Sequence, residues 1–597
     1  MRSDLWYLIQ SFPARDRLLL GLYVVLQFFV SLMDLVGLAA VLPLMNVLLG
    51  ADMSPGYLGV ISGLLGHPGR TQFVIILAAF MVLAFALKAV LSLAIQWWSL
   101  GLVLRLQVRT SSRMLGAFLN EDYLTHRQRD VAELSRTVDA AATDAHNKVL
   151  GGVLSLIASG LSIVMALALV IAVMPLPALA AIAYFGIAVF VMQQVLSHRN
   201  QRAGHDALVS ARLKSLALID AMHGFREVRT HGAVAHFVEA FDEANRAQGL
   251  ASRRANFYSQ MPRYLLEAVG MGGIALLIAL VTLSGQSTEA VATLSLFIAA
   301  TLKMLPLMSS LTATFGFIRN GTPGLAITVE TLRRLPAAHE SVTAAKRAPL
   351  ARAETITVDR MSFRYPDGRS DVLSDIDFSI PPGSSLALCG QSGSGKTTLV
   401  DIILGLITTD RGVVSYGSTP VSEMGDSWTD IVAYVPQDVF LLHDTLAANV
   451  AFGQDPADRD VARIHDALAR AQLTELVAAL PYGIDSELGD RGSKISGGQR
   501  QRVGIARALY RSPQVIVFDE ATSALDNETE DRIAATIRGL SGEITTILVA
   551  HRLSSVRDVD QLLFLEHGRV AGRGTFTEVQ STTPGFARLV ELGRLDD

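Results

Sequence analysis

The sequence predicts an α-helical membrane domain, residues 1–325, joined through a linker at 326–353 to an α/β domain, 354–597. Three observations predict it. Half of the 597 residues are hydrophobic and only 18% are charged, and the apolar ones concentrate before residue 325. Six runs there reach the roughly 20 mainly apolar residues that a bilayer-crossing helix needs. Later, the strand-like Ser385-Leu386-Ala387-Leu388-Cys389 leads into Gly390-Gln391-Ser392-Gly393-Ser394-Gly395-Lys396-Thr397, and the apolar segment Thr398 to Leu406 reads as a helix. That octet matches G-x-x-x-x-G-K-[ST], so the second part reads as a P-loop ATPase domain, expected to bind ATP with Mg²⁺.

The expected spans are 18–49, 72–104, 147–174, 177–196, 262–284 and 289–318. Those longer than the minimum continue into water or tilt. The first is too long for a cleavable signal peptide, and no small-residue cleavage site follows it. Arginines set the orientation. Arg105, Arg109, Arg113, Arg127, Arg129 and Arg136 lie between the second and third spans. Arg199, Arg202, Arg212, Lys214, Arg226, Arg229, Arg246, Arg253 and Arg254 lie between the fourth and fifth. The loop near 51–70 holds only Arg70, and those at 174–175 and 284–288 hold no Lys or Arg. Positive charge stays inside, so the N-terminus, both basic segments and everything after 319 belong in the cytoplasm, with the spans in the cytoplasmic (inner) membrane.

Both basic segments keep helical apolar spacing, over Leu134 to Leu150 and Leu208 to Phe241, and read as spans prolonged into the cytoplasm. Each must reverse at a tip. Glu121-Asp122-Tyr123 breaks the first pattern and the segment Asp220 to Phe225 the second. Short transverse helices at the tips would dock on the ATP-binding domain. Net charge is −4, which gives no reason to expect nucleic acid. The single cysteine, Cys389, excludes an intrachain disulfide and suits a small buried strand residue.

In the second part, the P-loop backbone N–H groups and the following helix N-terminus suit an anion. Lys396 would reach the β- and γ-phosphates, and Thr397 would ligate Mg²⁺. Val515-Ile516-Val517-Phe518-Asp519-Glu520 is an apolar strand ending in two carboxylates. Asp519 would hold Mg²⁺, and Glu520 would orient or polarise the attacking water.

Ile495-Ser496-Gly497-Gly498-Gln499 is similar to the LSGGQ signature of ATP-binding cassette (ABC) ATPases, with Ile for the first Leu. With it, nearly the whole chain resembles an ABC exporter. The resemblance implies roles for further residues. Gln437 looks like the Q-loop glutamine that senses Mg²⁺ and the γ-phosphate. His551 looks like the switch histidine at the γ-phosphate. Tyr365 looks like the aromatic that stacks on adenine, and Thr398 completes the nucleotide-binding set from Gly390 onward. Ser523-Ala524-Leu525-Asp526 looks like the D-loop. Leu488-Gly489-Asp490-Arg491-Gly492 is similar to the exporter X-loop, with Asp490 where Glu is usual. The resemblance also implies that Ser496 of one subunit meets ATP on the P-loop of another. One chain carries one P-loop and one signature, as in a half-transporter. A homodimer of twelve spans is the simplest assembly.

For the substrate, Asp34, Lys88, Glu267 and Lys303 stand out as ionisable residues within spans. Lys88 and Lys303 would give a cavity cationic character suited to a phosphate-bearing headgroup, or would snorkel or pair with Asp34 and Glu267. The segments Met33 to Pro43 and Met261 to Glu267 resemble the PglK-type subfamily, which flips polyprenyl-diphosphate-linked oligosaccharides. That subfamily usually has Glu where Asp34 stands. Export of a lipid-linked or other amphipathic substrate is the first expectation. A peptide or small hydrophobic compound is the second, and an ATPase that regulates a membrane partner the third.

Overall fold

The computed structural model describes residues 1–48, 60, 63, 66, 69–127, 129, 134, 137–173, 175–283, 288–334, 353–409, 411–489, 492–519, 527–549 and 556–593. The chain divides into two compact units. One is Met1–Glu121 with Gln128–Ser341; the other is Asp122–Arg127 with Val342–Asp597.

The first unit is helical. After the short Arg2–Gln10 helix come Ala14–Ala39 with Val41–Leu48, then Arg70–Leu119, Gly151–Val173, Pro175–His223, Val234–Leu283 and Thr288–Arg334. Among the described residues these take in the six expected spans, the third together with the π-helical Asp144–Leu150, and run beyond most of them. Among the described residues, three stretches are long and apolar enough to cross a membrane: Ala14–Gly37, Arg70–Leu119 and Thr137–Ala172. The Arg70–Leu119 helix has 50 residues, about 75 Å at 1.5 Å per residue. That far exceeds a hydrocarbon core of about 30 Å, so much of it stands in water. Its outward side carries Leu83, Leu93 and Trp97, all well exposed, as a lipid-facing surface requires. Its inner side joins a core with Leu8, Phe12, Leu102, Leu106, Met114, Val149, Leu150, Ile318 and Leu325.

Two expectations change in this unit. The helical pattern over Leu134 to Leu150 is π-helical at Thr137–Ala141 and Asp144–Leu150. A π turn adds a residue per turn and rotates the buried face. Here it keeps Ala141, Ala142, Ala145, Val149 and Leu150 buried against the last helix. That helix approaches at Gly321 and Gly324, where a Cβ would fall 2.7 Å from the Cβ atoms of Lys148 and Asp144 respectively. Second, the last helix continues to Arg334, so the first nine positions of the expected linker are helical; residues 335–352 lie outside the described residues.

The tips reverse where the patterns break. Arg70–Leu119 ends just before the first, and the transverse helix Tyr123–Arg127 follows. Its first turn is held by Asp122, whose Oδ2 accepts from the N–H groups of Leu124 and Thr125 at 3.1 and 3.3 Å. At the second, Pro175–His223 stops before Gly224 and the helix Phe225–Thr230 follows.

The second unit is α/β. The strands are β1 (Ile356–Phe363), β2 (Leu373–Ile380), β3 (Ser385–Gly390), β4 (Arg411–Tyr416), β5 (Thr419–Pro420), β6 (Val432–Val435), β7 (Val515–Asp519), β8 (Thr545–Val549), β9 (Gln561–Glu566) and β10 (Arg569–Gly574). An antiparallel sheet runs β2-β1-β4-β5, and a second sheet runs β10-β9-β3-β8-β7-β6. In the second sheet β9, β3, β8, β7 and β6 are mutually parallel and only β10 is antiparallel. Parallel strands covered on both faces read as continuous apolar runs, and Val515 to Phe518 and Thr545 to Val549 are buried at every position. Tyr123 and Leu124 of the transverse helix pack against this unit's core, which includes Leu399, Val400 and Ile403.

Candidate nucleotide-binding site

Strand register gathers the motifs. Leu388 of β3 pairs with Val549 of β8. Val549 also faces Asp519 of β7, and Phe518 faces Val435 of β6. These registers place Leu388 two residues before the P-loop, Asp519 at the end of β7, and Val435, opposite Phe518, two residues before Gln437. Ligands of open parallel sheets bind outside the carboxyl ends of the strands; the P-loop and Asp519 lie at that edge with Gln437 just beyond it, while the signature residues Ser496 to Gln499 stand at the N-terminus of the helix Gly497–Tyr510.

The P-loop leaves β3 at Gly390 and starts the helix Lys396–Ile403. Gly395, its N-cap, has φ 101°, and a Cβ there would meet Leu373 Cδ2 at 2.6 Å. A side chain at 395 would be both strained and crowded. Gln391, Ser392, Gly393 and Thr397 are exposed, while Ser394 and Thr398 are buried. Lys396 is 6% exposed. Its Nζ donates to the carbonyls of Gly390 (2.7 Å) and Gln391 (3.0 Å), so the ammonium lies within the curl of the loop. Ser394 Oγ is buried and has no hydrogen-bond partner among the described residues. A loop with a buried ammonium and an unsatisfied hydroxyl beside a helix N-terminus fits a phosphate group. Tyr365 stands against the same helix, with Oη 3.1 Å from Thr398 Oγ1.

Asp519 closes β7, and its Oδ2 accepts from Tyr434 Oη at 2.9 Å. Burial first, then the Asp519 carboxylate, raises the pKa of Tyr434, so it stays a neutral donor. Gln437 is exposed just beyond β6. Thr397, Gln437 and Asp519 offer oxygen donors only, which suits a hard cation such as Mg²⁺. Among the described residues no three His, Cys, Asp or Glu side chains cluster as a separate metal site. Glu520, His551, the D-loop Ser523 to Asp526 and Asp490 lie outside the described residues.

Ser496 and Gln499 do more locally than a phosphate contact demands. Ser496 caps the helix Gly497–Tyr510: its Oγ accepts from the Gln499 N–H at 3.2 Å, and Gln499 Oε1 accepts from the Ser496 N–H at 2.9 Å. This is a capping box. Ser496 and Gly497 are exposed and Gly498 is buried, so the motif presents its cap outward. Gln501 then donates to the Pro436 carbonyl at 3.0 Å, tying this helix to the Q-loop segment. The S-x-x-Q spacing signals the box in sequence. The contacts of Tyr434 and Gln501 carry no such local signal, because each joins distant strands or helices. Cys389 is 2% exposed in β3, and burial pushes its thiol up to about 12.

Charged residues in the spans are partly resolved. Lys88 Nζ lies 2.9 Å from Asp34 Oδ1, so of the arrangements open to Lys88 this structure has the ion pair. Glu267 is exposed in the single chain, and the Lys303 side chain lies outside the described residues.

The family model described as "ABC transporter" matches residues 373–523. An ATP-dependent lipid A-core flippase of Cupriavidus metallidurans is 32% identical over 497 residues, covering 80% of this chain and 80% of the relative. The flippase of the same name from Cupriavidus pinatubonensis is 33% identical over 405 residues, 66% of this chain and 67% of the relative. A solved bacterial Atm1-family ABC exporter with ATP bound shares the fold, with a TM-score of 0.74 over 97% of this chain and 98% of that one, at 23% identity. With apolar helices ahead of a P-loop sheet that holds one nucleotide motif set, the chain belongs to the ATP-binding cassette transporters, as an exporter-type half-transporter that couples ATP hydrolysis to transport across a membrane.

Proposed function

We propose that two copies of this chain form an ATP-driven flippase of the cytoplasmic membrane for an amphipathic, phosphate-bearing glycolipid, with a lipid-linked oligosaccharide as the first candidate. The observation that carries the ATP-site half of this reading is the common strand-end row of β3, β7 and β6, which leads into the P-loop, Asp519 and Gln437. The glycolipid half rests on the relatives' name, lipid A-core flippase, and on the likeness of Met33 to Pro43 and Met261 to Glu267 to the PglK-type subfamily. Both point to saccharides carried on phosphorylated lipids.

The roles in hydrolysis are those that the motifs and the family resemblance imply. Gly390 to Thr398 cradle the triphosphate, with Lys396 at the β- and γ-phosphates and Tyr365 against adenine. Thr397, Gln437 and Asp519 would hold Mg²⁺, which would supply neutralisation of charge on the phosphate oxygens. Glu520 orients the attacking water and His551 contacts the γ-phosphate. Ser496, Gly497, Gly498 and Gln499 close on the nucleotide held by the partner chain. An exposed capping box suits that task, because its helix N-terminus is aimed outward. The N-terminus and ATPase unit lie in the cytoplasm, as the distribution of arginines requires.

The test is leaflet translocation by purified protein in liposomes, with ATP inside or outside. Three probes are run separately: lipid A-core, a polyprenyl-diphosphate oligosaccharide and an amphipathic peptide. ATP-dependent movement of either glycolipid supports the reading. Movement of peptide alone makes the protein a peptide exporter. Hydrolysis with no movement of any probe returns the regulatory ATPase.

A further inference from the structure

Between the parallel sheet and the helix Asn527–Arg538 lies a cavity of about 270 Å³, apart from the phosphate cradle. Protein interiors are close-packed and hold few voids larger than a water molecule, so a space of this size stands at the small end of small-molecule sites. Phe518 of β7 and Leu548 and Val549 of β8 line one side and are buried; Ala534 and Ile537 of the helix line the other. Ser385 also lines it but is already matched: its Oγ and its N–H donate to Asp560 Oδ2 at 2.7 and 2.8 Å. The interior therefore asks for an apolar body. The mouth is charged. Arg538 and Asp558 stand there, both exposed, with guanidinium and carboxylate 3.9 Å apart. That is too long for a hydrogen bond, and an exposed ion pair is worth little. Arg557, exposed, adjoins Asp558 in the chain, while Glu543, the acid that follows the helix, pairs with Arg470 at 3.0 Å. Among the described residues the mouth thus carries a surplus of positive charge. A guanidinium fork matches a carboxylate in two bonds, and Asp558 makes neither.

We propose that this cavity is a regulatory site for a small apolar monocarboxylate: the apolar body lies against Phe518, Leu548 and Val549, and the carboxylate takes Arg538 from Asp558. The exchange is easy, because the contact given up is long and open to water and the one gained is a charge-assisted pair of bonds. The strand ends beneath the ligand explain its effect. Phe518 directly precedes Asp519, and Val549 stands two positions before His551. A body wedged between these strands and the helix Asn527–Arg538 restrains the segments that leave β7 and β8, so turnover falls while the nucleotide itself is untouched. None of Gly390 to Thr398 lines the cavity, and the site does not depend on what the protein transports.

The experiment uses the full chain in lipid nanodiscs, with nanodiscs alone as the blank. Naphthalene-1-carboxylate, naphthalene-1-methanol and naphthalene-1-methylamine are titrated separately by calorimetry, and ATPase turnover is measured at saturating carboxylate. Wild type is expected to bind the carboxylate at one saturable site per chain, at least about tenfold tighter than the amine, as the charge at the mouth requires. Arg538→Gln should weaken the carboxylate by about tenfold and the alcohol by less than about threefold, because only the carboxylate uses the guanidinium. Asp558→Asn should tighten the carboxylate. Ala534→Phe fills the cavity and should lose all three. If that variant fails to fold, Arg538→Gln and Asp558→Asn, both at exposed positions, decide the matter. Saturating carboxylate should lower wild-type turnover at least about twofold and leave Arg538→Gln nearly unchanged at the same concentration. No saturable binding, tighter binding of the amine, or equal losses of carboxylate and alcohol in Arg538→Gln overturns the site. Saturable binding with unchanged turnover overturns its regulatory role.

Discussion

Ser496 separates local stability from chemistry within one residue. Ser496→Ala removes the acceptor for the Gln499 N–H but leaves the bond from the Ser496 N–H to Gln499. Loss of a serine N-cap costs about 1 kcal/mol. For a unit of this size that lowers the thermal midpoint by about 2–4 °C. Ser496→Asp keeps a capping oxygen and adds a favourable charge at the helix N-terminus, worth about 0.3–1 kcal/mol, so its midpoint should hold or rise slightly. The same carboxylate would face phosphate on the partner chain. At about 4 Å and an effective dielectric near 20, like charges repel by about 4 kcal/mol, which is about a thousandfold in rate. The assay is thermal unfolding and ATPase of the full chain in liposomes. The expected result is a crossed pattern: Ala less stable with a moderate loss of turnover, Asp as stable as wild type with nearly none. Wild-type turnover in Ser496→Asp would refute the placement of this residue against phosphate. A midpoint for Asp as low as that for Ala would refute its capping role.

Glu520→Gln should still bind ATP but lose most turnover and hold the two chains closed; near-normal hydrolysis by the purified variant would remove Glu520 from its role. Lys88→Ala removes the cation 2.9 Å from the buried Asp34 carboxylate and should cost about 1–3 kcal/mol, discounted because Lys88 is partly exposed; adding Asp34→Asn should recover part of the midpoint. Cys389, the single thiol of the chain, has its pKa raised to about 12 by burial. The thiolate is therefore scarce throughout neutral and mildly alkaline pH. Alkylation of native protein should stay slow up to about pH 10 and become rapid on denaturation, and fast native labelling at pH 8 would contradict the burial.

Much of the nucleotide site can be read without coordinates, because its residues act through short contiguous stretches. The P-loop needs glycine where φ is positive, a lysine and a hydroxyl at fixed spacing, and a strand before and a helix after. All of these are local. The ends of the first transverse segment are equally local: Asp122 caps its own next turn. The π-helical turns at Thr137–Ala141 and Asp144–Leu150 are not. Their periodicity is close to that of an α-helix in sequence, and they lie where Gly321 and Gly324 approach from a helix far along the chain.

The sequence by itself determined the division into apolar helices and a P-loop domain, and it carried the expectations for the orientation of the spans and for the phosphate-binding residues. Hydrophobic run length, charge asymmetry and glycine-bearing motifs express those properties residue by residue. Only the tertiary structure decided that Tyr434 holds Asp519, that Gln501 ties the signature helix to Pro436, that Lys88 meets Asp34, and that Asp401 is buried on the phosphate-loop helix with the transverse helix in the same unit. Each of those joins side chains separated by tens to hundreds of positions. Parallel strand order and helix packing, rather than any local pattern, bring such partners within a few ångströms.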